Sequence, residues 1–123
     1  MQRTKWTERK FNFDFPEGWM FNILERLKGT EARINQLVSN LSEDELASKP
    51  NNKWSIKEHI GHLADLEELH DGKINDFVMR NEVLRAADMS NAKTYEASHN
   101  EKPRSLLLKK FKSKRDLLTS RLE

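Results

Sequence analysis

The sequence predicts an all-α fold, a single domain over residues 1–123 built as an antiparallel bundle of long helices. Three observations predict it. Apolar residues recur at helical spacing in three long segments. Two Ser-x-x-Glu motifs, at Ser42 and Ser55, have the pattern of capping boxes at helix starts. Four Gly and three Pro leave few breaks in 123 residues, and strand-like alternation is confined to a short segment around Phe13.

The N-terminal segment alternates aromatic and polar residues and ends at Pro16. Phe11, Phe13 and Phe15 are the aromatic members. We interpret this segment as an extended arm that lays its aromatic rings on the core, with an edge strand as the alternative.

The first long helix is predicted from about Gly18 to Asn40. Gly29 interrupts it, at a cost of about 1 kcal/mol relative to Ala. The spacing of its apolar residues predicts one buried face. The members of that face are Met20, Ile23, Leu24, Leu27, Ile34, Leu37, Val38 and Leu41.

The second long helix is predicted from a cap at Ser55 to about Met79. Between the two long helices, a short helical turn after Ser42 stops before Pro50. The apolar residues of the second helix cover more than half of its circumference, which is typical of a helix packed on two sides. They are Ile56, Ile60, Leu63, Ala64, Leu66, Leu69, Ile74, Phe77 and Val78.

The segment from about Asn81 to Asn100 is predicted to be a functional loop or a crossover. A third long helix follows, with Pro103 in its first turn. Its predicted buried edge consists of Leu107, Phe111, Leu118 and Leu122. This helix is still in phase at Glu123, so we expect the sequence to stop short of a further helix.

Composition excludes several classes of site. The absence of cysteine excludes disulfides, thiolate nucleophiles and cysteine-based metal centres. No apolar run reaches the ~20 residues of a membrane span, and we expect a cytoplasmic protein. With 22 basic against 20 acidic residues, we expect no nucleic-acid partner. The basic cluster within 109–115 is interpreted as a solvated helix face, with an anionic partner as the alternative.

Histidine is the residue type most able to do chemistry near neutral pH. His59, His62 and His70 fall on the second helix, and His99 falls in the polar loop. Their spacings of three and eight differ from the i, i+4 pair by which a helix usually binds a metal. The spacing therefore favours hydrogen-bonded or capping roles, and we do not expect this helix to bind a metal by itself.

Glu67 and Trp54 each raise a packing question. Glu67 falls within the apolar face and needs a partner, because burial of a bare carboxylate is costly. A histidine, an arginine such as Arg26 or Arg33, or a metal could each serve. Trp54 precedes the Ser55 cap, and we interpret it as a packing lid on the helix entrance, with ligand stacking as the alternative.

Two stretches resemble a known family. Residues 53–67 read KWSIKEHIGHLADLE, and residues 21–46 read FNILERLKGTEARINQLVSNLSEDEL. Both resemble the DinB/YfiT-like superfamily, also known as a metal-dependent hydrolase family. The matching positions of its second-helix motif are Trp54, Ser55, Glu58, Gly61, His62, Leu63 and Glu67.

The resemblance implies a four-helix bundle, of which three long helices are present here. It also implies a divalent metal, nickel or zinc, held by three histidines. His62 corresponds to one ligand, and the other two form a His-x-x-x-His pair on a fourth helix. The 123 residues contain no such pair. We therefore expect an incomplete metal site that does not retain its metal, with Glu67 orienting His62 or acting as a general base.

The resemblance also implies a function. It predicts a metal-dependent hydrolase or thiol-dependent transferase that acts on a small-molecule substrate. The alternative is a non-enzymatic helical module that binds a partner helix in an exposed apolar groove. We also expect a homodimer, because two wide apolar helix faces need cover.

Overall fold

The computed structural model describes residues 2–123, which are helical and contain no strand. The all-α prediction is confirmed. Single 3-10 turns lie at Trp6–Glu8, Pro50–Asn52 and His99–Glu101. The α-helices are α1 (Trp19–Lys28), α2 (Thr30–Val38), α3 (Glu43–Ala47), α4 (Ile56–Val78), α5 (Ala92–Glu96) and α6 (Arg104–Leu122).

The predicted first helix is two helices that meet at Gly29. The backbone of Gly29 has ψ near 0°, which breaks the regular helical hydrogen bonding between α1 and α2. Leu24 and Val38 are separated by nearly a whole number of helical turns and both face the core, whereas Leu37 is rotated by about 100° from Val38. Leu24 and Val38 are buried, whereas Leu37 was expected on the same face and is 80% exposed.

α4 begins and ends where the sequence predicts. Its capping box is complete, because Ser55 Oγ accepts from the Glu58 amide at 3.0 Å and Glu58 Oε2 accepts from the Ser55 amide at 2.7 Å. Ile60 and Ala64 are buried. Phe77 and Val78 were expected to be buried, but they lie exposed at the end of the helix.

α4 and α6 run in the same direction. Arg115 of α6 bonds to Glu67 of α4. Further along both helices, Arg121 of α6 bonds to Asn75 of α4.

α1 and α2 run opposite to α6, because Arg115 bonds the Leu27 carbonyl near the end of α1, whereas Arg104 at the start of α6 bonds the Val38 carbonyl at the end of α2. The expected antiparallel arrangement therefore holds between the α1–α2 segment and α4. It fails between α4 and α6, because the crossover 79–103 returns the chain to the start of α4.

The apolar core lies where α2, α3, α4 and α6 meet. Its buried members are Val38, Leu46, Ile60, Leu107 and Leu108. The predicted edge of α6 is buried at Leu107, Phe111 and Leu118, while Leu122 is half-buried. No helix in the described range 2–123 combines the length and apolar content that a membrane crossing requires.

The aromatic arm does not dock on the core. Every residue from 2 to 17 is exposed, and Phe13 is 85% exposed. The arm contains one 3-10 turn and no strand. The expectation that its rings cover the core of the same chain is wrong.

Candidate functional site

The crossover folds back onto the first half of α4 and builds the candidate site. Asp88 starts this return, because its carboxylate accepts from the amides of Ser90 and Ala92 at 2.9 and 3.1 Å. At the other end, Ser55 Oγ bonds Asn100 Oδ1 over 2.5 Å. The Asp88 bonds shape the turn before α5, and the Ser55–Asn100 bond holds the His99–Glu101 turn against the start of α4.

A buried hydrogen-bond network links the crossover to α4. Thr94 donates its hydroxyl proton to Asp65 Oδ2 at 3.0 Å, and His99 Nε2 bonds the same oxygen at 2.8 Å. His62 Nδ1 lies 2.9 Å from Thr94 Oγ1. Asp65, Thr94 and His99 are buried, and His62 is half-buried.

The network fixes the proton positions on His62. The Thr94 hydroxyl has one proton, which it donates in its hydrogen bond to Asp65. Toward His62, Thr94 Oγ1 can therefore only accept a hydrogen bond. Nδ1 of His62 is therefore protonated, and Nε2 carries a free lone pair. Burial lowers the pKa of His62 below its ordinary 6.5, against the opposing attraction of Asp65. His62 is thus a neutral imidazole at pH 7.

Sequence reasoning did not single out Asp65 or Thr94, and it placed in a polar loop the third member of the network, the buried His99. Its side chain is 2% exposed, and Nδ1 has no hydrogen-bond partner. A Cβ at Gly61 would lie 2.3 Å from the His99 ring, so the absence of a side chain at Gly61 makes room for the imidazole. The signal was the isolated Gly61 inside a predicted helix, since such a glycine indicates a close approach.

His62 lines a cleft of about 520 Å³ between α4 and the crossover. Asp65 and Thr94 supply further polar wall, and Lys93 and Glu68 form an ion pair at its rim. The apolar wall consists of Leu66, Leu69, Ala86, Ala87 and Met89. The cleft thus combines one oriented lone-pair donor with a mostly apolar surface.

Comparison with known proteins identifies the family. The model of the DinB superfamily matches residues 26–123, which is most of the chain and includes the whole network. The chain belongs to the DinB superfamily. No curated protein and no solved structure matches it.

Within this DinB fold, Glu67 faces away from the cleft. Its two carboxylate oxygens accept from Arg115 at 2.9 and 2.7 Å, and His70 Nδ1 lies 3.4 Å away. Burial alone would raise the pKa of Glu67, but the hydrogen bonds from His70 and Arg115 hold it below 4.5. The expected partner is an arginine, although it is Arg115 and neither Arg26 nor Arg33. Glu67 serves the α4–α6 interface.

The histidines of α4 do not converge. His59 is exposed and contacts Trp54, with ring centroids 5.4 Å apart. Trp54 also packs against His62 at 4.9 Å and Tyr95 at 5.5 Å, at the entrance of α4. This placement agrees with the packing-lid interpretation of Trp54.

The donors present do not fit the three-ligand metal site of the superfamily. Across residues 2–123, no three His, Cys, Asp or Glu side chains are grouped to hold a metal ion. Asp65 is bonded to His99 and Thr94, and Glu67 to Arg115. His62 therefore offers one nitrogen where a catalytic zinc needs three protein ligands.

Proposed function

We propose that this DinB-superfamily chain is a hydrolase or thiol-dependent transferase related to the family's metal-dependent enzymes, in which the metal site is incomplete and His62 is the reactive group. The observation that carries the proposal is the hydrogen-bond chain from His62 through Thr94 to Asp65. A histidine that donates one ring N–H to a fixed partner presents its other nitrogen in a defined direction.

The step assigned to His62 is proton acceptance. Its neutral imidazole takes a proton at Nε2 from a water or a thiol bound in the cleft, and that nucleophile attacks an electrophilic carbon of the substrate. The bond from that carbon to the leaving group breaks, and the leaving group takes the proton back from Nε2. Nδ1 keeps its proton and its bond to Thr94. Asp65 then stabilises the imidazolium through the Thr94 hydroxyl, as the carboxylate of a catalytic triad does more directly.

The remaining parts of the proposal are coarser. The volume and apolar wall of the cleft support a small-molecule substrate. The lack of cysteine supports a cytoplasmic location. The single free nitrogen of His62 supports the prediction that described residues alone hold no stoichiometric nickel or zinc.

The proton-acceptor role is tested with p-nitrophenyl acetate as a probe ester, with and without a small thiol. We expect His62→Gln to lose most of the hydrolysis rate above background. His59→Gln is the matched control, because His59 lies one helical turn away and makes no hydrogen bond in the network. Equal loss in both variants would show that surface histidines account for the rate and would refute the assignment.

The metal part of the proposal has its own test. We expect elemental analysis of the purified chain, after exposure to nickel or zinc and gel filtration, to give well below one metal ion per chain. One tightly held ion per chain, lost in His62→Gln, would overturn the incomplete-site proposal and leave the role of His62 as a ligand intact.

A second candidate function rests on surface character. Exposed apolar residues on the helices, Phe21, Leu37 and Phe77 among them, support a module that binds another helix. The two proposals separate in the ester assay, because an interaction module has no rate that depends on His62.

A further inference from the structure

The chain exposes far more surface than a compact folded monomer of the same mass. Its accessible area is 9,794 Å². A folded monomer of 14.5 kDa is expected to expose about 6,900 Å². The excess of roughly 2,900 Å² is more than three times the ~800 Å² that one partner buries in a standard protein interface.

Part of this excess belongs to the aromatic arm, residues 2–17. The rings of Phe11 and Phe15 are each 55% exposed, and Trp6 is 69% exposed. The contacts of these rings are local, since Trp6 packs on Phe11 and Phe15 on Trp19. Aromatic side chains gain strongly from burial, so an arm with four exposed rings is suited to a surface that it meets on another molecule.

A second group of exposed apolar side chains lies at the end of the bundle where the arm leaves it. The end of α6 lies beside both the start of α1, since Leu122 lines the same pocket as Met20, and the end of α4, since Arg121 bonds Asn75. The start of α1 and the end of α4 therefore lie at the same end of the molecule. Both carry exposed apolar side chains there, and Phe21 and Phe77 are 75% and 77% exposed. We name this surface the end patch. Its members are Met20, Phe21, Ile23, Phe77, Val78 and Met79.

We propose that the arm of one copy covers the end patch of a second copy, in a symmetric dimer that exchanges arms. The arm and the end patch adjoin in one chain, so a two-fold axis at this end sets each arm against the partner's patch. The 16 residues of the arm can extend to about 50 Å, which is ample reach across such an interface.

The charge of the arm favours a protein partner over a membrane. Residues 2–17 carry four basic and three acidic side chains. Attachment to anionic lipid typically uses a cluster of basic residues with a strong net charge. A second copy supplies both an apolar patch and an identical arm, which gives a closed assembly.

Sedimentation of the full chain at micromolar concentration tests the dimer. We expect twice the chain mass of 14.5 kDa. An arm variant, Phe11→Ser/Phe13→Ser/Phe15→Ser, should raise the dimer dissociation constant at least about 100-fold, since interfacial aromatic anchors each contribute roughly tenfold or more in affinity. Circular dichroism should show unchanged helix content, because the arm is not part of the bundle.

Two further variants make the test specific. A patch variant, Phe77→Ser/Val78→Ser/Met79→Ser, should dissociate to the same extent. A control variant changes two exposed apolar residues at the opposite end of the bundle, where α2 ends and α6 begins, and should remain dimeric: Leu37→Ser/Leu106→Ser.

Mixing separates exchange from general stickiness. The arm variant retains an intact patch and the patch variant retains an intact arm, so a mixture of the two should regain partial dimer that neither forms alone. A wild-type monomer would overturn the proposal, as would an arm variant with wild-type affinity or equal dissociation of the control variant. Wild-type monomer that binds phosphatidylserine vesicles would assign the arm to a lipid surface instead.

Discussion

Each of two opposite sides of α4 buries one carboxylate, and the two carboxylates differ in their hydrogen-bond partners. Toward α6, Glu67 receives two hydrogen bonds from the Arg115 guanidinium, which also bonds the Leu27 carbonyl at 3.2 Å. Toward the crossover, Asp65 is hydrogen-bonded to Thr94 and His99, and Thr94 is hydrogen-bonded in turn to His62. The first group of bonds is closed, whereas the second ends on His62, which lines a cleft and has one ring nitrogen without a hydrogen bond within residues 2–123.

The comparison separates a scaffold from a site. A closed ion pair between two packed helices has no group left for a ligand, and it fixes the register of α4 against α6. An open chain of bonds leaves one oriented lone pair beside an accessible cavity. Two carboxylates of similar burial on one helix therefore differ in function because of where their hydrogen-bond partners lead.

The closed side should show the larger effect on stability. Glu67→Ala leaves Arg115 buried without its counter-charge, and we expect a loss of about 3–5 kcal/mol in the free energy of unfolding. Glu68→Ala, at the exposed neighbouring position, should change it by less than about 0.5 kcal/mol. Urea unfolding followed by circular dichroism measures both. A loss below about 1 kcal/mol in Glu67→Ala would show that the pair does not hold the two helices.

On the open side, Gly61→Ala should cost about 1–3 kcal/mol, because its Cβ would lie 2.3 Å from the buried His99 ring. Gly18→Ala is the control, since a Cβ there meets nothing within 4 Å. The double variant Gly61→Ala/His99→Ala should lose less than the sum of the two single variants, since the clash disappears with the ring. Additive losses would contradict the contact.

Removal of the N-terminal cap of α4 should have the next largest effect on stability. Ser55→Ala removes the helix cap and the bond to Asn100, and we expect a loss of about 1–2 kcal/mol. Ser42→Ala removes only the exposed cap of α3 and should cost no more than about 1 kcal/mol. Equal thermal shifts in the two variants would show that the bond to Asn100 does not anchor the crossover.

The pH dependence of stability should also differ between the two sides. The pKa of Glu67 lies below its ordinary 4.5, so its contribution is complete above pH 4.5 and is lost as pH falls through the lower folded value. We expect Glu67→Gln to flatten the acid limb of a stability–pH curve. An unchanged limb would mean that other carboxylates control acid unfolding.

Local sequence signals predicted the helices better than their arrangement. The capping box at Ser55 and the apolar spacing placed α4 from cap to end. The sequence indicated the interruption at Gly29, but the exposure of Leu37 was missed, because Leu37 is rotated by about 100° from the buried Val38 on the same helix. The parallel direction of α6 depends on the path of the crossover, which has no periodic pattern in sequence.

The site was predictable in part. His62 was selected by resemblance, and the need of Glu67 for a partner followed from its position on an apolar face. Asp65, Thr94 and His99 were not brought together by any sequence pattern, because 29 and 34 residues separate Asp65 from its two partners. The spacing of residues along the chain carries no information about such long-range pairing. The isolated Gly61 was the one local sign that another segment approaches this helix closely.

The central claim concerns the protons of His62, and nitrogen-15 NMR of its imidazole tests it most directly. At pH 7.5 the wild-type ring should be neutral, protonated at Nδ1 and unprotonated at Nε2, with the exposed His59 as an internal reference. Thr94→Val, which removes the hydroxyl at similar volume, should shift the proton toward Nε2. A wild-type His62 already protonated at Nε2, or a spectrum unchanged in Thr94→Val, would contradict the account.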